Sequence, residues 1–194
     1  MCGLSILFFL SVEGLFASIG WAQTTSTALA TAAEQLENPN IRYVPDYIRI
    51  AYPFGDVPSN TGVCTDVIVR AYRGVGIDLQ HLLHEDILAH PERYPNIRRP
   101  DSNIDHRRVP NLATFFRHHG ESIPVTQDPR DYLPGDILWW KLGSPTGLNH
   151  IGIVVGKSAA SGVPLVIHNM GGGQVIEDIL FHHPIVGHYR YIGE

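Results

Sequence analysis

The stretch DILWWKLGSPTGLNHIGIVVGKSAASGVPLVIHN, residues 136–169, decides how the chain is built. It holds three short β-prone runs, DILWW (136–140), HIGIVVG (150–156) and PLVIHN (164–169), separated by Gly, Pro, Ser and Asn. Such residues punctuate turns between strands. A fourth run, HYRYI (188–192), follows. The upstream sequence has a different period. In CTDVIVRAYRGV (64–75), Val67, Ala71 and Val75 recur at four-residue intervals with Ile68 and Tyr72 alongside, which is a helical apolar face. Gly74 and Gly76 stop it. A second helix is expected from about Leu79 to His90, ended by Pro91, and a third from about Asn111 to His119, ended by Gly120. Helices first and strands afterwards predict an α+β domain with a mostly antiparallel sheet.

The chain has 194 residues, enough for one domain. It is 44% hydrophobic and 17% charged, which supplies a core and argues against a disordered polyelectrolyte. A net charge of −5 with no basic stripe argues against nucleic acid as a partner. Residues 1–22 contain LSILFFLSVEGLFASIGWA and read as a secretory leader cleaved after Ala22. Glu13 interrupts the apolar run, so no stable membrane span is expected once the leader is gone. The protein is therefore expected to be secreted or periplasmic. Residues 23–45 read as a linker or short helix forming an N-terminal extension, and 46–194 as the single folded domain.

Cys2 leaves with the leader, so the mature chain holds one thiol, Cys64. Cys64 opens the first strong helix, where unpaired N–H groups and the macrodipole stabilise an anion. A thiolate there is expected to titrate below the free value of about 8.5. Thr61 or Ser59 could cap the same end instead. A cysteine nucleophile needs a base, and the base an orienting group. His150 sits at the mouth of one predicted strand and His168 ends the next, so pairing of the two strands brings them close. Asn169 competes with His168 for the orienting role.

A helix-opening cysteine, Leu133-Pro134-Gly135-Asp136-Ile137-Leu138, and Asn149-His150-Ile151-Gly152-Ile153 resemble the NlpC-type papain-like cysteine peptidases of bacterial cell walls. The likeness covers roughly residues 50–192. Within that superfamily, a set of motifs looks like the exported bacterial proteins grouped as domain of unknown function 1287. These are Gly62-Val63-Cys64-Thr65-Asp66-Val67, Asn103-Ile104-Asp105-His106-Arg107-Arg108-Val109-Pro110, Val166-Ile167-His168-Asn169 and Gly187-His188-Tyr189-Arg190-Tyr191. The superfamily places Asp before the cysteine and Ser-Gly after it, whereas here the neighbours are Val63, Thr65 and Asp66. Residues 80–130 are an extra segment, expected to form helices and loops covering one end of the cleft.

The resemblance implies a papain-like fold and a secreted thiol amidase or peptidase acting on peptidoglycan stem peptides or a related cell-envelope amide. It implies the triad Cys64, His150 and His168. The oxyanion would take the Cys64 N–H and a donor such as Asn60; Asp66, Asn169, Arg107 and Arg108 complete the candidate oxyanion and substrate-binding set. Arg107 and Arg108 could pair with a substrate carboxylate or serve a salt-bridged loop. An acyltransferase on the same scaffold and a non-catalytic envelope-binding module are the alternatives. The chain has 11 histidines, but none has metalloprotease spacing and no paired-cysteine motif exists, so neither metal nor cofactor is expected. Gly171-Gly172-Gly173 reads as a flexible turn after His168.

Overall fold

The computed structural model describes residues 26–193; the expected leader lies outside them. The first element, α1 (26–34), lies in the segment read as a linker or short helix, and it packs on the rest of the domain. Leu29, Ala30 and Ala33 are buried, and Leu29 and Ala33 join the main apolar cluster. An alanine-rich segment looks linker-like in composition, yet its small side chains allow close packing. Glu34 also accepts the Gly156 N–H at 2.8 Å and pairs with Lys157.

Two short parallel strands follow, β1 (Arg42–Tyr43) and β2 (Thr61–Gly62). Then come α2 (Cys64–Gly74), α3 (Leu79–Ala89) and α4 (Val109–His119), close to the bounds that periodicity predicts. Helix α4 starts two residues early because Pro110 fits a first helical turn, where its missing N–H costs nothing. Residues 80–130 do form helices and loops, and they supply core as well as cover. Leu83, Ile87, Leu112, Ala113, Phe115 and Phe116 belong to the same cluster as α2.

The remaining strands are β3 (Glu121–Ser122), β4 (Ile137–Lys141), β5 (Asn149–Ser158), β6 (Pro164–His168), β7 (Val175–Glu177) and β8 (Ile185–Arg190). They form one six-stranded sheet in the order β3-β8-β4-β5-β6-β7. Every neighbouring pair is antiparallel. Strand alternation sorts the side chains. Ile137, Ile151, Ile153 and Ile167 join α2 and α4 in the main core. Leu138, Trp140, Val154 and Val166 face the other way, under Tyr132, Ile179 and Leu180. Asp136, at the head of β4, is buried and carries the Leu133 N–H, His188 and Arg190 on its two oxygens. No helix of the described residues is long and apolar enough to cross a membrane.

Gly152 on β5 has no space for a side chain. A Cβ there would lie 2.7 Å from Val166 Cγ1, 2.9 Å from the Ile167 carbonyl oxygen and 3.3 Å from the His168 Cβ. Gly152→Ala is therefore expected to lower the unfolding free energy by about 1–3 kcal/mol, the usual range for an overpacked core, as read by urea denaturation.

Buried histidines give the fold a pH dependence. Burial pulls His106 down to about 4 and His150 down to about 3. In the unfolded chain both titrate near ~6.5. Above that value neither state binds the proton and the full stability is present. As pH falls from ~6.5 toward 4, the unfolded chain takes up protons that the folded chain refuses, so stability drops. The melting temperature is expected to fall through this window, and His106→Leu to flatten the slope.

Candidate active site

Cys64 is the first residue of α2 and is only 5% exposed. Its sulfur accepts the backbone N–H groups of Ile151 and Thr65. The first of these matters most, because Ile151 follows His150 directly. The thiol therefore rests against the peptide that joins the two residues at the start of β5. Among the described residues no hydrogen bond joins the sulfur to the imidazole.

His150 and His168 meet as the strand pairing predicts. Their rings are 5.0 Å apart, centroid to centroid, and nearly perpendicular at 88°. Both residues are buried. The β5–β6 register pairs Ile153 with Ile167, which sets His168 across from Gly152, diagonal to His150. The absent side chain at Gly152 is what admits the His168 ring there. Trp140, paired with His150 in the β4–β5 register, stacks on that ring at 5.8 Å. His168 Nε2 lies 3.1 Å from Glu177 Oε2.

The expected lowering of the thiol does not occur. Burial pushes Cys64 up to about 11, and the Asp66 charge adds to this, while the backbone N–H bonds pull the other way. Desolvation of a nearly enclosed anion outweighs the helix N-terminus. Burial, His168 and His183 take His150 in the opposite direction. At neutral pH the resting pair is thus a neutral thiol and a neutral imidazole.

Asp66 and Arg107, expected among the oxyanion and substrate-binding groups, are occupied by each other. Arg107 Nε and Nη2 bond to the two Asp66 oxygens at 2.9 and 3.0 Å. The side chains are 2% and 3% exposed. Asp66 also accepts the Val63 N–H at 2.7 Å, closing the start of α2. Arg107 donates further to the carbonyls of Asp46 and Val44. Of the two readings left open for Arg107, the salt-bridged loop is the one the structure gives. Asn169 is likewise committed: its Nδ2 donates to the Gly62 carbonyl and its Oδ1 accepts the Gly171 N–H. It braces the loop before Cys64 and does not replace His168 as the neighbour of His150. Asn60 is exposed and lies outside the lining of the cleft.

That cleft, about 280 Å³, reaches Cys64 between Tyr43, Val63, Ile104, Arg108 and Asn149. Arg108 is exposed and, unlike Arg107, holds no ion pair among the described residues. Tyr43 was not singled out by the sequence. Its phenol is pushed up by burial, Cys64 and Asp66, which places it in the field of the thiol. A two-residue strand carries no periodic signal that could have found it. A larger cavity of about 660 Å³ lies between α3, the end of α4 and the C-terminal tail, and Cys64 does not line it. No group of three or more metal-ligating side chains converges among the described residues.

These features can be set beside known proteins. The chain is 49% identical over 170 residues to the Escherichia coli (strain K12) protein described as "Uncharacterized protein YijF", covering 86% of this chain and 82% of that one. Among solved structures it is similar to NlpC2 from Trichomonas vaginalis, with a TM-score of 0.51 at 19% identity, over 88% of this chain and 47% of that chain. NlpC1 from the same organism gives a TM-score of 0.48 at 18% identity, over 87% of this chain and 45% of that chain. The chain thus spans about half the length of these structures. Sheet order, helix placement and the NlpC2 superposition agree on an NlpC-type, papain-like fold. The model of the family described as Domain of unknown function (DUF1287) matches residues 29–191, and the chain belongs to that family.

Proposed function

We propose that the protein is a thiol hydrolase that cleaves an amide of the cell envelope, with peptidoglycan stem peptides as the substrate class. The observation that carries this reading is the placement of the Cys64 sulfur against the His150–Ile151 peptide, with His168 ring-to-ring beside His150. The nucleophile of this reading lines the cleft, and its base and orienting group are the two buried histidines.

Both partners rest neutral, so the proton moves during attack instead of beforehand. The sulfur bonds to the substrate carbonyl carbon as its proton passes to His150. The oxyanion meets the Cys64 N–H, one of the helix's unpaired donors, and the Tyr43 hydroxyl across the cleft. The C–N bond then breaks, the leaving amine takes the proton from His150, and a thioester remains. Water, activated by the same imidazole, releases the acid and restores the thiol. Arg108, an exposed cation in the wall beside Cys64 with no ion pair among the described residues, suits a substrate carboxylate near the scissile bond.

Alkylation of Cys64 tests the pair without a known substrate. In the unliganded protein the rate with iodoacetamide is expected to run nearly level across neutrality, carried by the His150 base, and to climb again in the alkaline range as the raised thiol ionises. His150→Ala is expected to slow alkylation at pH 7 about 100-fold, the scale of general-base assistance. Equal rates in the two proteins at every pH would separate Cys64 from His150 and leave an envelope-binding module. Iodoacetate should gain on iodoacetamide in the wild type, and Arg108→Ala should abolish that gain. With peptidoglycan fragments, Cys64→Ser should stop turnover while the fold persists.

A further inference from the structure

We propose that Glu177 is a positioning residue that sets the proton arrangement of His150 through His168. The inference rests on the thiol–imidazole reading above and extends it by one group. Glu177 lies on β7, paired with Val166, so it is the diagonal neighbour of His168 across the β6–β7 ladder. Its carboxylate is 51% exposed, but the His168 side chain it meets is 1% exposed. Exposed ion pairs contribute little; here a solvated carboxylate reaches one nitrogen of a buried ring.

The argument follows from counting donors and acceptors. An ionised carboxylate only accepts, so the short contact puts the His168 proton on Nε2. His168 Nδ1 is then a lone pair. That atom and His150 Nε2 are both buried without a hydrogen-bond partner, and they belong to the two rings in contact. The two atoms are not bonded as the rings stand, and one bond, from His150 Nε2–H to His168 Nδ1, would satisfy both. It also leaves His150 Nδ1 unprotonated, and that is the nitrogen able to take the thiol proton. If His168 carried its proton on Nδ1 instead, it would present a donor to His150. It would drive the His150 proton onto Nδ1, the atom that has to be empty. Glu177 excludes this arrangement.

The same carboxylate acts on charge. When His150 becomes an imidazolium, the positive charge is next to His168, and Glu177 stabilises it through that ring. Glu177 already pulls His168 upward against burial and against His183, whose charge opposes both histidines from the loop before β8. Cys64 on α2, with the Asp66 charge acting on it, meets the backbone of Ile151 next to His150; Trp140 on β4 covers His150 with an uncharged face.

The test uses the full chain with three variants, Glu177→Gln, Glu177→Asp and His150→Ala. Ring-nitrogen shifts in long-range ¹H–¹⁵N spectra at pH 7 should place the proton on Nε2 of both His150 and His168 in the wild type. In Glu177→Gln, His168 should lose that preference, and Cys64 alkylation by iodoacetamide at pH 7 should slow about tenfold, a fraction of the full general-base effect. The acid limb of the rate profile should also move to lower pH, because the base is weaker without the carboxylate. Glu177→Asp keeps the charge and should recover most of the rate. A purely structural residue would move stability but neither the tautomer nor the limb. Wild-type tautomers and rates in Glu177→Gln, with His150→Ala slowed, would overturn the inference and leave the thiol–imidazole reading standing. Equal rates in all variants would remove that reading, and the inference with it.

Discussion

The Asp66–Arg107 pair joins residues 41 positions apart in the chain, and three segments meet on it. Asp66 closes the start of α2 by holding the Val63 N–H. Arg107 brings the loop before α4, and its remaining nitrogens hold the carbonyls of Val44 and Asp46 from the loop after β1. Breaking such a buried pair by removing one partner costs about 3–5 kcal/mol, because the other charge is left desolvated. The position of Cys64 is therefore fixed by polar bonds on one side and by apolar packing on the other. Further arginines extend this scheme. Arg70 links Asp56 to the Thr61 carbonyl, and Arg73 links Asp78 to the Gly55 carbonyl. The segment 80–130, which carries Arg107, is thus built into the support of Cys64.

Two electrostatic effects compete at the sulfur, and magnitude decides between them. A helix N-terminus favours a nearby anion by about 0.3–1 kcal/mol at an exposed site. Removing a thiolate from water costs more, and Cys64 is almost fully enclosed. The charge of Asp66, one turn into the helix, works against the thiolate as well, although Arg107 offsets part of it. Cys64 consequently rests as a protonated thiol. What the site supplies is a nearby imidazole whose own burial keeps it unprotonated.

Periodicity carried the larger elements. The four-residue spacing in 64–75 and the β-prone apolar run at 150–156 each found a long element, because each is long enough to be distinguished. Strands β1, β2, β3 and β7 are two or three residues long and offer no period to detect. Losing β7 behind Gly171-Gly172-Gly173 also hid Glu177. Helix α1 escaped as a domain element because alanine and threonine look alike in a linker and on a packed face. Cys64, His150 and His168 were legible because each sits at the end of an element that could be read. The partner of Arg107 was not, since a loop arginine and a helix aspartate give no local sign of each other. Nor does sequence report enclosure, which reversed the expectation for the thiol.

The enclosure of Cys64 also governs how its sulfur meets oxidants. Oxidants attack thiolates, and the first product, a sulfenic acid, is normally rescued by a second cysteine that forms a disulfide. Cys64 is the only cysteine among the described residues, so none of those residues could perform that rescue. A sulfur kept protonated and 5% exposed meets peroxide slowly. The burial that makes the nucleophile weak at rest therefore also protects it. A lone thiol can persist in an oxidising space without the resolving cysteine that a more acidic one would need.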